Sequence, residues 1–449
     1  MAPTTQDFKF PDGTFSDYEQ VYLKMSGAFS HIDKEHWGIH CVCSIKHDAS
    51  AGTDTHTAIE DAWMHLMVEY PGLGMVPVGL GKRYPRLDEA SITSWAQKTF
   101  FITSHLSADD VVAAAGIRDL PSLHYLPASS ELVLLIQHWR TDGLGACMLL
   151  DRLFEIMVKA STSPGVMEQL EQRMPSPSLE SAAGASESDD ADLKAYAREY
   201  IDNFHKKAVN AGGLPFRGDA HTPPSRPTHC NVEFSTDVTE AIMSACKHHQ
   251  ISVSAAIHAA LARTVFSHLA EPDCQVGYTT IMAVNMRPHL PSPYNSRKHA
   301  CQTYVVSITP TVDYNRSFLD AARCLTLDYR SWWTEKFVRS LSWIYKYHLA
   351  KLSAPRPVTT VPAKPPSGVT LSSLGVVEKH LRGDYGPNFR VEKFRFGVSM
   401  MTRQMVLYAW TFKGQLSLSL SYNEAYYSEV MVREVITRVA SNLTGGLHV

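Results

Sequence analysis

The 449-residue chain has no uncharged apolar run long enough to cross a bilayer, which excludes a spanning helix. Its first residues, Met1-Ala-Pro-Thr-Thr-Gln-Asp-Phe-Lys-Phe10, lack a basic stretch leading into an apolar one, so a cytoplasmic protein without a membrane partner is expected. An excess of one charge is also missing. Lys and Arg total 42 against 45 Asp and Glu, a formal net charge of -3 that gives no global attraction to nucleic acid. The eight cysteines (41, 43, 147, 230, 246, 274, 301 and 324) are scattered through apolar or mixed stretches of a chain too large to need stapling, and read as reduced thiols. Cys41-Val-Cys43 has the wrong spacing for a zinc pair and no second pair follows, so no metal is expected. The absence of G-x-S-x-G removes the nucleophile elbow of a serine hydrolase. Gly79-Leu-Gly81-Lys82 lacks the upstream glycine of a phosphate loop, and Gly72-Leu-Gly74 is followed by no third glycine opening a helix. No fixed-period repeat is present, which argues against solenoids and propellers.

What is present is a chain long enough for two domains or two fused lobes. Thr57 to Tyr70 places Ile59, Trp63, Leu66, Met67 and Tyr70 at helical spacing, and Pro71-Gly72 stops the helix. Glu131 to Ile136 is a short continuous apolar run, as in a strand buried on both faces, and Leu144 to Val158 returns to helical spacing. Residues 161–190 turn rich in Ser, Pro, Ala, Gly and acid, which predicts a mobile linker joining an N-terminal lobe, 1–180, to a C-terminal lobe, 181–449. In the second part, helices are expected over Ala241–His249, behind a capping box Asp237-Val-Thr-Glu240, and over Ala255–Leu269, with His258 structural. Strands are expected over Val276–Asn285 and Gln302–Ile308, and an exposed Pro-rich connection over Ser353–Ser367. Leu416, Leu418, Leu420 and Tyr422 alternate with serines in the period of a half-buried strand, before a helix over Ser428–Val439.

The segment His138-Trp-Arg-Thr-Asp142-Gly143 therefore falls on a turn between a buried strand and a helix. An imidazole there can stand at the mouth of a sheet and take up a proton near neutral pH. An Asp four residues on can hold the turn by pairing with a cation, and Gly143 lets the backbone pack closely as the helix begins. The bare spacing arises by chance in about one chain in twenty of this length, so a structural histidine ending a strand is the rival explanation.

Several segments together resemble the chloramphenicol acetyltransferase-like acyltransferases, a superfamily that includes plant BAHD enzymes, peptide-synthetase condensation domains and fungal alcohol acetyltransferases. Beside the HxxxDG motif of His138 to Gly143, Val68-Glu-Tyr-Pro71-Gly-Leu is similar to the end of the family's early helix, and Val253 to Leu261 to its second-lobe helix. Ala283-Val-Asn285-Met-Arg287-Pro288 resembles a strand end, Thr370-Leu-Ser372-Ser373-Leu-Gly375 a following strand, and Leu418 to Asn423 the closing strand. The resemblance implies an α/β (α+β) fold of two such lobes, each a mixed sheet with helices, forming a pseudo-dimer around a central tunnel.

It further implies that His138 is a general base, and that Asp142 points away from substrate to pair with Arg287 and lock the loop to the second lobe. By the same resemblance Ser372 or Ser373 stands where some members place a donor for the oxyanion, a serine at a solvent-facing strand edge being the plainer alternative. Gln137 stands where many condensation domains carry a further histidine. Phe394-Arg-Phe396-Gly397 is at best a remnant of the BAHD DFGWG segment. The first departs from the condensation domains and the second from the BAHD branch; the overall look is nearer the fungal alcohol acetyltransferases, such as the trichothecene 15-O-acetyltransferases.

The implied reaction moves an acetyl or other short acyl group from acyl-CoA, a co-substrate with no bound cofactor beside it, to a hydroxyl or amine of a fungal-type secondary metabolite. A carrier-protein thioester, or a cyclisation without any thioester, is the alternative chemistry, and a non-catalytic binding protein the alternative class. A monomer is expected.

Overall fold

The computed structural model describes residues 12–48, 54–162, 174–209, 213–269, 277–354 and 366–449. The N-terminal segment Met1–Phe10, Cys274, residues 163–173 of the expected linker and residues 355–365 of the Pro-rich connection lie outside the described residues. Cys41, Cys43, Cys147, Cys230, Cys246, Cys301 and Cys324 are free thiols. No helix among the described residues is long and apolar enough to cross a membrane.

The chain forms two compact units. The first takes residues 1–183 and is completed by 287–304 and 377–396; the second takes 184–286, 305–376 and 397–449. The first unit is built on a five-stranded sheet in the order Phe389–Val398, Ile39–His47, Glu131–Ile136, Ser122–Leu126, Phe100–Ile102. Glu131–Ile136 is flanked by antiparallel neighbours on both sides. Its Leu132, Val133, Leu134 and Ile136 are all buried, which is why the segment reads as an unbroken apolar run and not as an alternation. On one face Val133 and Val42 pack with Ala108, Val111 and Val112 of a short helix. Helix Gly143–Thr162 packs against Thr55–Glu69 and the strand Ile39–His47. Thr55–Glu69 buries Ile59, Trp63, Leu66 and Met67 as its spacing predicts, and the buried Trp63 indole pairs its N–H, donating from Nε1 to Thr99 Oγ1 at 3.0 Å.

Residues 177–182 of the expected linker are built into this unit. Ser178 opens the short helix Leu179–Ala182, and Glu180 accepts from the Tyr18 N–H (2.9 Å) and Ser16 Oγ (3.0 Å). A buried carboxylate with donors from another element fixes a segment that composition alone marks as loose.

The second unit has a six-stranded sheet in the order Val305–Ile308, Met282–Asn285, Val369–Val376, Met405–Phe412, Gln415–Asn423, Pro227–Glu233. Helices Val253–Phe266, Phe318–Ser331 and Glu429–Leu447 pack against one another. Four local expectations change. Helix Thr236–His248 is capped by Ser235, whose Oγ accepts from the Val238 N–H, and not by a box at Asp237. Of the strand expected over Val276–Asn285, Val276 lies outside the described residues and the rest forms two pieces, Tyr278–Thr279 and Met282–Asn285; Gly277 sits at φ +76°, where a Cβ would press on the Val312 carbonyl at 2.9 Å. The strand expected from Gln302 starts at Val305 because residues 302–304 serve the motif loop instead. Finally, Ser419 and Ser421 are fully buried: Gln415–Asn423 has a partner strand on each side, and its serine face is covered rather than solvated.

Candidate active site

The central strand of the first unit runs directly into the motif: Glu131–Ile136 ends, His138 to Arg140 turn, and Gly143 opens the long helix. Two anchors hold that turn. The first is Arg140, 2% exposed, which donates from Nε to Gln137 Oε1 (3.0 Å) and from its Nη atoms to the carbonyls of Gly72, Met75 (2.9 Å) and Asp119 (2.6 Å). Gln137 donates in turn to the carbonyls of Arg118 and Leu120, both at 3.0 Å. Together they satisfy five backbone acceptors that the turn would otherwise strand. Burial lowers the Arg140 guanidinium to about 10, so it stays cationic at neutral pH. Gln137, a departure from the condensation-domain pattern, thus has a structural task.

The second anchor is Asp142, 1% exposed. Its Oδ1 accepts from the Gly145 N–H at 2.9 Å, the bond an N-cap makes, and its Oδ2 accepts from the Tyr304 N–H at 2.8 Å. Arg287 Nη1 donates to both oxygens, at 2.8 and 2.7 Å, and Nη2 donates to the Gln302 carbonyl at 3.0 Å. The cost of burying the pair is offset on the Asp142 side, where each carboxylate oxygen accepts two hydrogen bonds. Arg287 belongs to the same compact unit as the motif, so the lock that the resemblance places toward the second lobe acts within the first. Two threonines complete it: Thr141 Oγ1 donates to the Ala300 carbonyl at 2.7 Å, and Thr303 Oγ1 donates to the His138 carbonyl at 2.5 Å.

Gly143 opens the helix as expected, and Gly145, two residues on, is under steric constraint. A Cβ there would collide with Thr141 Oγ1 and the Ala300 carbonyl and press on Arg287 Nη2 at 3.1 Å. Gly145→Ala should therefore push the helix start away from the segment 287–304, lowering both melting temperature and activity; a variant with wild-type values of both would show that the close approach is dispensable.

His138 is half-buried, its Nδ1 sealed from solvent without a well-formed hydrogen bond. Burial lowers its pKa below the ordinary imidazole value, while nearby backbone groups of His138 and Thr141 and the Asp142 charge oppose the shift. The ring is therefore neutral at pH 7. Tyr22 lies 4.9 Å away between ring centroids and Trp37 6.2 Å.

Ser372 and Ser373 lie in the second unit, on a strand paired on both sides and not at a sheet edge. Both are half-buried, and Ser373 Oγ accepts from Ser254 Oγ at 2.9 Å. Among the described residues no group of three or more His, Cys, Asp or Glu converges as metal ligands would.

The structure thus brings together His138, Asp142, Gly143 and Arg287 in one unit. Sequence reasoning missed Gly145, Thr303, the Tyr304 amide, Tyr22 and Trp37. Gly145, two residues past Gly143, was a visible signal; the others carry none, because their roles come from segments distant in the chain.

No protein-family profile matches the chain. Among solved structures it is similar to the TRI3 trichothecene 15-O-acetyltransferase of Fusarium sporotrichioides, with a TM-score of 0.77 and 15% identity over 97% of this chain and 95% of that one. It is also similar to the epimerization domain of tyrocidine synthetase B, with a TM-score of 0.62 and 14% identity over 98% of each chain. These likenesses define the fold as that of the chloramphenicol acetyltransferase-like and condensation-domain proteins. Among curated sequences the chain is 61% identical to azaphilone biosynthesis cluster protein M of Aspergillus terreus, over 98% of this chain and 96% of that protein. It is 46% identical to the O-acetyltransferase pigM of Monascus ruber, over 97% of this chain and 85% of that protein. The chain belongs to this family of fungal O-acetyltransferases.

Proposed function

We propose that the protein transfers an acetyl or other short acyl group from acyl-CoA to a hydroxyl of a fungal secondary metabolite, with His138 as general base. The observation that carries this reading is a half-buried imidazole, its pKa lowered by burial, on a turn whose anchors are buried and hydrogen-bonded. The relatives named for azaphilone biosynthesis and for O-acetyl transfer favour an azaphilone-type intermediate as the acceptor.

With Nδ1 sealed, Nε2 is the nitrogen that takes the acceptor proton as the hydroxyl oxygen attacks the thioester carbonyl. The tetrahedral oxyanion then collapses, the carbon–sulfur bond breaks, and the imidazolium returns its proton to the departing thiolate. Ser372 and Ser373 are the candidate donors to the oxyanion; loss of such a donor costs about a hundredfold or more in rate. Asp142 and Arg287 touch neither substrate and act by fixing the loop.

Incubation with acetyl-CoA and a hydroxylated acceptor should release one free thiol for each ester formed. Product without thiol release would instead indicate a cyclisation, and turnover only with a carrier-bound acyl group a condensation-type donor. Because burial holds the His138 ring below about 6.5, the acid limb of kcat/KM should have its midpoint below that value. The rate should rise with pH through that midpoint, as the base loses its proton, and then level off; a midpoint above 7 would contradict the assignment.

A further inference from the structure

Two aromatic side chains crowd the His138 ring within the first unit. Tyr22 lies 4.9 Å from it with planes at 36°, Trp37 lies 6.2 Å from it at 53°, and the two are 6.3 Å from each other. All three residues are half-buried, so part of each remains uncovered by protein.

The backbone that carries Trp37 is unusual. Its φ is +64°, a left-handed conformation that bulky residues avoid because Cβ crowds the carbonyl. Such geometry persists only where neighbouring structure enforces it. Here the loop is held at both ends of its short course. Asp33, at φ 54°, turns the chain out of the helix Gly27–Ile32, and the Lys34 N–H bonds the Phe29 carbonyl at 3.2 Å. Lys34 Nζ donates to the carbonyls of Ala113 (3.2 Å) and Ala115 (3.3 Å). Ser26 Oγ donates to Glu35 Oε1 at 2.7 Å, the His36 N–H bonds the Ser26 carbonyl at 3.1 Å, and the buried His36 ring lies 5.2 Å from the Trp37 indole at 30°. A pinned loop with glycine at position 37 would need no strain. This one accepts strain and thereby aims an indole at the imidazole.

We propose that Trp37, backed by Tyr22, recognises the acceptor: the open face of its indole stacks on a flat, conjugated ring carrying or adjoining the hydroxyl that His138 deprotonates. The inference rests on His138 being the base, but its binding consequence can be read without any chemistry. A flat ring gains from an aromatic surface beyond the area it buries, and a saturated ring of equal size does not.

Calorimetric titration of the wild-type protein without an acyl donor, using 2-naphthalenemethanol and its fully saturated decahydro counterpart, tests this. The conjugated alcohol should bind several-fold to about tenfold more tightly. Trp37→Gly, whose backbone suits the left-handed conformation, should erase that preference while keeping the loop, and Trp37→Phe should restore part of it. Equal binding of the two alcohols, binding of neither, or a preference that survives in a folded Trp37→Gly protein would overturn the proposal. Failure of the His138 assignment would show separately, as turnover retained in His138→Ala.

Discussion

Replacing His138 with alanine is expected to lower kcat/KM for acyl transfer by about a hundredfold or more, the usual effect of removing a general base, while the melting temperature stays near that of the wild type. The two outcomes separate because of how the turn is built. Its anchors are the Arg140 and Asp142 side chains and the backbone carbonyl of His138, which Thr303 holds. The imidazole contributes ring contacts with Tyr22 and Trp37 but no well-formed hydrogen bond through Nδ1. Steady-state kinetics with acetyl-CoA, beside a thermal melt, reads both quantities. A folded variant with near-normal turnover would remove His138 from the mechanism.

Asp142→Ala should behave in the opposite way, losing stability and activity together. Removing the carboxylate leaves Arg287, 3% exposed, as a buried cation, and strands the N–H groups of Gly145 and Tyr304. Breaking a buried pair from one side typically costs about 3–5 kcal/mol, a large fraction of a domain's stability. Asp142→Asn keeps the shape and one acceptor oxygen, so it should lose less of both. Chemical denaturation of the two variants gives the ordering, and activity assayed well below each melting point shows how much of the rate loss comes from a displaced loop. Wild-type stability in Asp142→Ala would contradict the role assigned to the pair.

Much of the site was legible in the sequence because it lies on a short contiguous segment with a clear period on either side. The apolar run before His138 and the helical spacing after Gly143 fixed the turn, and the structure has both elements where expected. Arg287 could be named only through resemblance, since nothing in its own neighbourhood points to a carboxylate 145 positions earlier.

The parts that were not legible share a cause. Thr303 and the Tyr304 amide look like the start of a strand, and only tertiary pairing diverts them to the motif loop. Ser419 and Ser421 follow a half-exposed alternation but are covered on a face whose burial depends on other segments. Residues 177–182 have the composition of a linker and are ordered by Glu180, whose partners lie more than 160 residues away. Local pattern reports local geometry; it does not report which segment arrives to cover it.

The most direct test follows the His138 ring and the rate in the same buffer. NMR titration of imidazole carbon-labelled protein, with the His138 signal assigned by its loss in His138→Ala, gives the proton affinity of that ring. The account predicts a midpoint below about 6.5 that coincides with the acid limb of kcat/KM. A ring that titrates elsewhere while the rate follows a different group would contradict it.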